Sequence, residues 1–263
     1  MIEHTEPDDT IDTDDTIGAP PQPPPPKPVI AAWCSRPSVR DLTVAKQTGI
    51  TELHLMIHDD STDRRPSKFE IDKYADEYCR RIIDAGFALH LTAWAQPHRD
   101  YLLAACEWLT EASVRHGVRS ICWDAEEPWT QAIGGMDPVA AAALIDLAGA
   151  VEGVTGIGYA PRSIDPLLAR ADYVAPQVYV TARERSLRAE SVPTVLERWA
   201  ARSCATVIPA LAAYAQHPGG MVAAWHAAKQ PRSVILWSLR HVVRNSAETR
   251  KLARAMGVMD GAA

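Results

Sequence analysis

The stretch VRSICWDAEEPW, residues 118–129, decides the fold and the site together. An apolar run of strand-forming residues passes directly into three carboxylates flanked by tryptophans. Side chains of a strand alternate faces with a period of two. Val118, Ser120, Cys122, Asp124 and Glu126 therefore share one face, and Arg119, Ile121, Trp123 and Ala125 share the other. Asp124 and Glu126 become same-face neighbours, with Cα atoms about 6.5–7 Å apart. Two carboxylates that close do not both ionise freely, so one pKa rises. A protonated carboxyl beside an ionised one is what general acid catalysis on a glycosidic bond requires. Glu127 points elsewhere if the strand continues, and it is the competing acid if the strand stops one residue early.

The same theme recurs on both sides of this stretch: a short apolar run ends in polar or aromatic residues, and an amphipathic segment follows. The runs are 29–35, 50–59, 88–96, the 118–126 strand, 154–161, 173–180, 205–215 and 233–242. Helices are expected at 39–47, 69–86, 101–117, 138–153, 166–171, 193–202, 219–228 and 246–256. Gly49, Gly86 and Gly117 stand where helix C-terminal glycines belong, and Asp137 before Pro138 reads as an N-cap. Eight strand–helix units in this length predict a (β/α)8 TIM barrel, an α/β fold of about 250 residues. No glycine-rich phosphate loop follows the first run, which weakens the alternative of an open doubly wound sheet.

The barrel is expected to occupy residues 29–263, preceded by an arm at 1–28. Residues 3–15 carry Glu3, Glu6, Asp8, Asp9, Asp12, Asp14 and Asp15 and no Lys or Arg. Residues 19–28, APPQPPPPKP, contain seven prolines. The acidic part reads as disordered and the proline-rich part as an extended spacer, or as a docking peptide for a protein partner. The net charge of −6 comes from the arm; without it, acids and bases nearly balance. That balance argues against a nucleic-acid-binding surface. No run of 18 apolar residues predicts a membrane span, and no Sec-type leader is visible, so synthesis in the cytoplasm is expected. The five cysteines stand singly, without CxxC pairs, and read as buried, reduced thiols.

A barrel of this class builds its site at the C-terminal ends of its strands. Those ends supply Trp33; His58, Asp59 and Asp60; Trp94 and Gln96; Asp124, Glu126 and Glu127, then Trp129; Tyr159 and Arg162; Gln177 and Tyr179; Tyr214; and Trp237. Carboxylates, amides, phenols and indoles together suit a polysaccharide, whose C–H faces stack on aromatic rings while its hydroxyls bond polar groups. Trp33 and Trp237 serve equally well as barrel core. Arg162 reads as a rim ion-pair partner. No cofactor is implied. His54, His58 and His90 are the candidate ligands of a competing, metal-dependent hydrolase, although no His-x-His pair stands at a strand end.

With Asp124-Ala125-Glu126 ending strand four, Gln177-Val178-Tyr179 on strand six and Trp237 on strand eight, the chain resembles barrel glycosidases that cut N-acetylhexosamine polymers. The resemblance is to family 25 lysozymes, including phage endolysins, and to family 18 chitinases. It departs from both: Arg-Ser-Ile-Cys-Trp replaces the acidic-glycine run that precedes Asp-x-Glu in chitinases, and the early strand-one Asp of family 25 is not evident. The resemblance implies a lysozyme-like or chitinase-like glycosidase, with peptidoglycan as the foremost substrate and a phage or prophage lysin acting on the cell wall as its setting. It also implies a retaining, substrate-assisted route. Glu126 is then general acid and base, Asp124 orients the substrate acetamido group and Tyr179 bonds its oxygen. Trp33, Asp59, Trp94, Gln96, Trp129, Gln177, Tyr214 and Trp237 are the expected substrate contacts. An inverting route needs a second carboxylate, from Asp59 or Asp60. A catalytically silent sugar-binding barrel is the remaining alternative.

Overall fold

The structure is a computed structural model of the 263-residue chain, and it describes residues 27–58, 71–126, 129, 136–147, 149–157, 162–183 and 187–260. Residues 1–26 of the expected arm lie outside it. The strands are β1 (Val29–Cys34), β2 (Glu52–Met56), β3 (Ala88–Trp94), β4 (Ile121–Asp124), β5 (Glu152–Ile157), β6 (Tyr173–Gln177), β7 (Thr206–Val207), β8 (Ala210–Ala212) and β9 (Ser233–Trp237). All pair in parallel, in the order β5-β4-β3-β2-β1-β9-β8-β6-β7, and a further β5–β6 pairing closes the sheet into a barrel. β7 and β8 are two parts of one stave. Pro209 between them has no N–H for the ladder, yet its carbonyl accepts from Ile235 at 3.1 Å and keeps the stave in register. The expected TIM barrel is therefore the fold.

The helices are α1 (Val39–Gln47), α2 (Ala75–Asp84), α3 (Arg99–His116), α4 (Pro138–Leu144), α5 (Asp165–Leu168), α6 (Val192–Ala200), α7 (Gly220–Ala227), α8 (Leu239–Arg244) and α9 (Ser246–Ala255). Asp137 caps α4 by accepting from the Val139 and Ala140 amides, as the sequence predicts. Gly117 ends α3 in the left-handed region at φ 60°. Three boundaries differ clearly from expectation. The helix expected at 69–86 starts only at Ala75, because Ile71 pairs antiparallel with His58. The helix expected at 138–153 stops at Leu144: Ile145 and Leu147 are buried with Asp146 exposed between them, a strand period that overrides the alanine-rich helix propensity. The run 233–242 leaves the sheet after Trp237, because Leu239 and Val242 are buried three apart, on one face of a helix. Among the described residues no helix is long and apolar enough to cross a membrane.

The outward strand residues, such as Leu53, Leu91, Trp123 and Leu236, build the main core against the helices. Inward residues Ala31, Trp33, Met56, Cys122, Ala175, Ala210 and Ile235 fill the barrel. At its N-terminal end the interior is polar. His90 exchanges hydrogen bonds with Ser120 at 2.6 Å and Glu52 at 3.2 Å, and Ser120 reaches the Tyr173 hydroxyl at 3.1 Å. His90 also holds the Glu52 carboxyl below the usual range, against the burial that raises it. Cys34, Cys79, Cys106 and Cys122 are buried free thiols, whereas Cys204, just ahead of β7, is exposed.

Gly153 makes room for this network, since a Cβ there would lie 2.0 Å from the Tyr173 ring. Gly153→Ala is expected to destabilise the fold by about 1–3 kcal/mol, read as a lower urea midpoint. An unchanged midpoint would show that the ring moves aside freely.

Candidate active site

Asp124 is the last residue of β4, and strand pairing runs one residue beyond it. Ala95 N–H donates to the Asp124 carbonyl at 2.9 Å, and Ala125 N–H donates to the Thr155 carbonyl at 2.8 Å. The alternation thus carries through to Glu126, whose Oε1 accepts from Gln177 Nε2 at 3.2 Å across the barrel mouth. The chain turns only there, where the Glu126 carbonyl accepts from the Trp129 amide at 3.1 Å. The strand does not stop early, so Asp124 and Glu126 share the inward face.

The two carboxyls differ in depth. Asp124 is buried, and its Oδ1 has no hydrogen-bond partner among the described residues. Burial first, then the charge of Glu126, pushes the Asp124 carboxyl well above the usual range. The raised acid of the pair is Asp124. The Tyr179 phenol is raised as well, by burial and then by Asp124, Glu126 and Tyr214. Its hydroxyl therefore belongs to the field of both carboxylates. Tyr214 meets Tyr179 edge-on, with ring centroids 6.0 Å apart.

The aromatic residues sort into two groups. Trp94 ends β3 beside Asp124 in the register, half-buried, with the His58 ring 4.0 Å away. Trp237 ends β9, also half-buried, and rests on Trp33 at 5.7 Å. Trp94, Tyr214 and Trp237 keep surface toward the barrel mouth. Trp33 and Trp129 do not. Trp33 is 1% exposed inside the barrel and donates to Thr92 Oγ1 at 3.1 Å. Trp129 is fully buried in the outer core and donates to the Ser163 carbonyl at 2.7 Å. Both were expected as sugar contacts. Their indole N–H groups are spent on the protein, and neither offers a face for stacking. Gln96 is buried just past β3, and Arg162 is exposed. Asp59, Asp60, Glu127 and Tyr159 lie outside the described residues.

Among the described residues the histidines do not assemble as a metal centre. His54 and His90 stack at 4.4 Å with nearly parallel planes, and both nitrogens of His90 are engaged by Ser120 and Glu52. Among the described residues no three His, Cys, Asp or Glu side chains are grouped to hold an ion. Two further neighbours of Asp124 emerge, of which sequence reasoning placed Cys122 on its face and missed Tyr101. The Tyr101 phenol, from the first turn of α3, and the Cys122 thiol are both raised by burial and then by the Asp124 charge. Cys122 was legible as an inward residue by parity; Tyr101 is indistinguishable in sequence from ordinary helix core.

No protein-family model matches the chain, and no curated protein matches it. Solved structures do. A chitinase from Bacteroides thetaiotaomicron is similar with a TM-score of 0.64 at 7% identity, over 86% of this chain and 97% of that one. The Bacillus cereus spore cortex-lytic enzyme SleL gives 0.58 at 8% identity, over 86% and 76%. The tamarind chitinase-like lectin gives 0.55 at 10% identity, over 84% and 98%. At such identities the likeness establishes the barrel fold.

Asp124 keeps its proton to higher pH when folded than when unfolded, so the fold loses stability as pH rises from the ordinary carboxylate range toward the folded value. Asp124→Asn removes this cost. Its melting temperature is expected to exceed wild type near neutral pH, by about 2–4 °C for each kcal/mol recovered. The gap should close in acid, where Asp124 is neutral in both states. A gap independent of pH would contradict the assignment.

Proposed function

We propose that the chain is a glycoside hydrolase of N-acetylhexosamine polymers, with peptidoglycan as its substrate. The observation that carries this reading is the inward Asp124–Glu126 pair at the mouth of the barrel, with Asp124 buried and raised and Glu126 held by Gln177. The half-buried Trp94, Tyr214 and Trp237 around the pair support a glycan, whose sugar faces stack on them. The chitinase and cortex-lytic neighbours act on such polymers and support the same class.

The resemblance to family 18 guides the roles. Glu126, the shallower carboxyl, protonates the leaving oxygen. The acetamido oxygen of the substrate attacks the anomeric carbon, and the glycosidic bond electrons leave with the aglycone. Asp124 steadies the acetamido nitrogen, and Tyr179 bonds the acetamido oxygen. Water then opens the cyclic intermediate as Glu126 takes its proton. Burial, then the charge of Glu126, holds a proton on Asp124, and the rate falls as pH rises and Asp124 loses it. The setting that follows is a wall-lytic enzyme of phage or prophage type.

The test is reducing-end release from purified peptidoglycan, with products analysed by mass. Glu126→Gln is expected to lose about 10²–10⁴ of the turnover while keeping its melting temperature and substrate binding. Normal turnover in that variant would sink the mechanism. Binding without release by wild type, even at high enzyme concentration, would favour a silent sugar-binding barrel, a reading the lectin neighbour supports.

A further inference from the structure

At the rim of the barrel, across from β4 in the strand order, Trp237 lines a pocket of about 510 Å³. It lies between the ends of β1 and β9 and is lined by Ser35, Arg36, Asp41, Ser238, Arg240 and His241. Trp237, one of the half-buried aromatics of the rim, is part of its lining. The mechanism above makes no use of this space.

Its charge is positive. Arg36 is matched by Asp72 at 2.5 Å, and Asp41 is turned to the α1 cap, where it accepts from the Ser38 amide and hydroxyl. Arg240 is exposed and has no ion-pair partner among the described residues. The His241 imidazole is depressed by burial and then by Arg244, Arg240 and Arg183, so three guanidinium groups act on this one side chain. The Arg183 guanidinium also lies 5.0 Å over the Tyr214 ring, and Tyr214 stands 5.4 Å from His241. The cationic side of the pocket is thus continuous with the aromatic rim.

We infer that this pocket receives a carboxylate carried by the glycan next to the sugar held in the cleft. The inference rests on the reading of the cleft as a glycan site and narrows it to acidic chains. Chitin is neutral along its length. Peptidoglycan carries a lactyl group on alternate sugars and a carboxylate-rich peptide attached through it. Ser35 and Ser238 supply hydroxyl donors, and Arg240 supplies the charge and the fork geometry that suit a carboxylate.

The test compares three probes of equal sugar length: peptide-free glycan strands with free lactyl carboxylates, strands bearing stem peptides, and chitin oligosaccharides. Affinity and kcat/KM are measured for wild type, Arg240→Gln and Arg240→Lys. Wild type is expected to prefer a carboxylate-bearing probe. The glutamine variant is expected to reduce that preference about fivefold, the size of one exposed charge pair, and the lysine variant to restore part of it. A preference for the peptide-free strands assigns the carboxylate to the lactyl group, and a preference for the peptide-bearing strands assigns it to the stem. Hydrolysis of all three probes with no preference, or with a preference that Arg240→Gln leaves intact, overturns the pocket and spares the glycosidase. Arginine-dependent binding without hydrolysis keeps the pocket and overturns the glycosidase. Neither binding nor hydrolysis overturns both.

Discussion

A closed barrel leaves no water inside to solvate a polar side chain. Every inward polar residue must be answered by another, and the two-residue strand period decides which side chains are inward. At the N-terminal end the demand is met. Glu52, His90, Ser120 and Tyr173 form one connected chain, Arg119 reaches Glu52 from outside at 3.3 Å, and the missing side chain of Gly153 leaves room for the Tyr173 ring. At the C-terminal end it is not met. Asp124 is as buried as its counterparts below, yet one carboxyl oxygen has no partner among the described residues. Among the described residues Asp124 shares this condition with His54 inside the barrel, whose Nδ1 is also unanswered, and Asp124 is the one of the two that stands at the C-terminal rim.

The mouth of the barrel is also sorted by charge. Acids occupy the centre, at Asp124 and Glu126, and cations line the side where β9 meets β1, at Arg36 and Arg240. Aromatic rings adjoin the cations: Trp237 lines the same pocket, and Tyr214 lies under Arg183. On the proposed reading, a sugar chain crossing this surface meets Glu126 at one point and positive charge at another. Proximity to one reactive centre is what converts such binding into orientation.

The fold was legible because strand alternation, helix caps and rising glycines after helices all point the same way, as with Asp137 before Pro138 and Gly117 after α3. The pair at 124 and 126 was legible for the same reason. What escaped depends on depth and on partners distant in sequence. Tryptophan at a strand end looks the same whether it caps the core, as Trp33 does, or faces the cleft, as Trp237 does. The end of α4 is set by burial of Ile145 and Leu147, which local helix propensity does not register. That a carboxyl would be raised followed from spacing alone; that it is Asp124 follows from its depth in the barrel. His90, a candidate metal ligand by type, is committed instead to residues 30 and 38 positions away.

The cysteines divide by accessibility in a useful way. Burial raises the thiols of Cys34, Cys106 and Cys122 and pushes Cys79 up to about 12, which keeps these four protonated and shielded from electrophiles. Cys204 is exposed, and it precedes β7, at the end of the barrel away from Asp124 and Glu126. The native chain therefore carries a single chemical handle on its far side. A maleimide-coated bead or electrode would take up the protein through that one atom in a uniform orientation, with the carboxylate cleft turned outward.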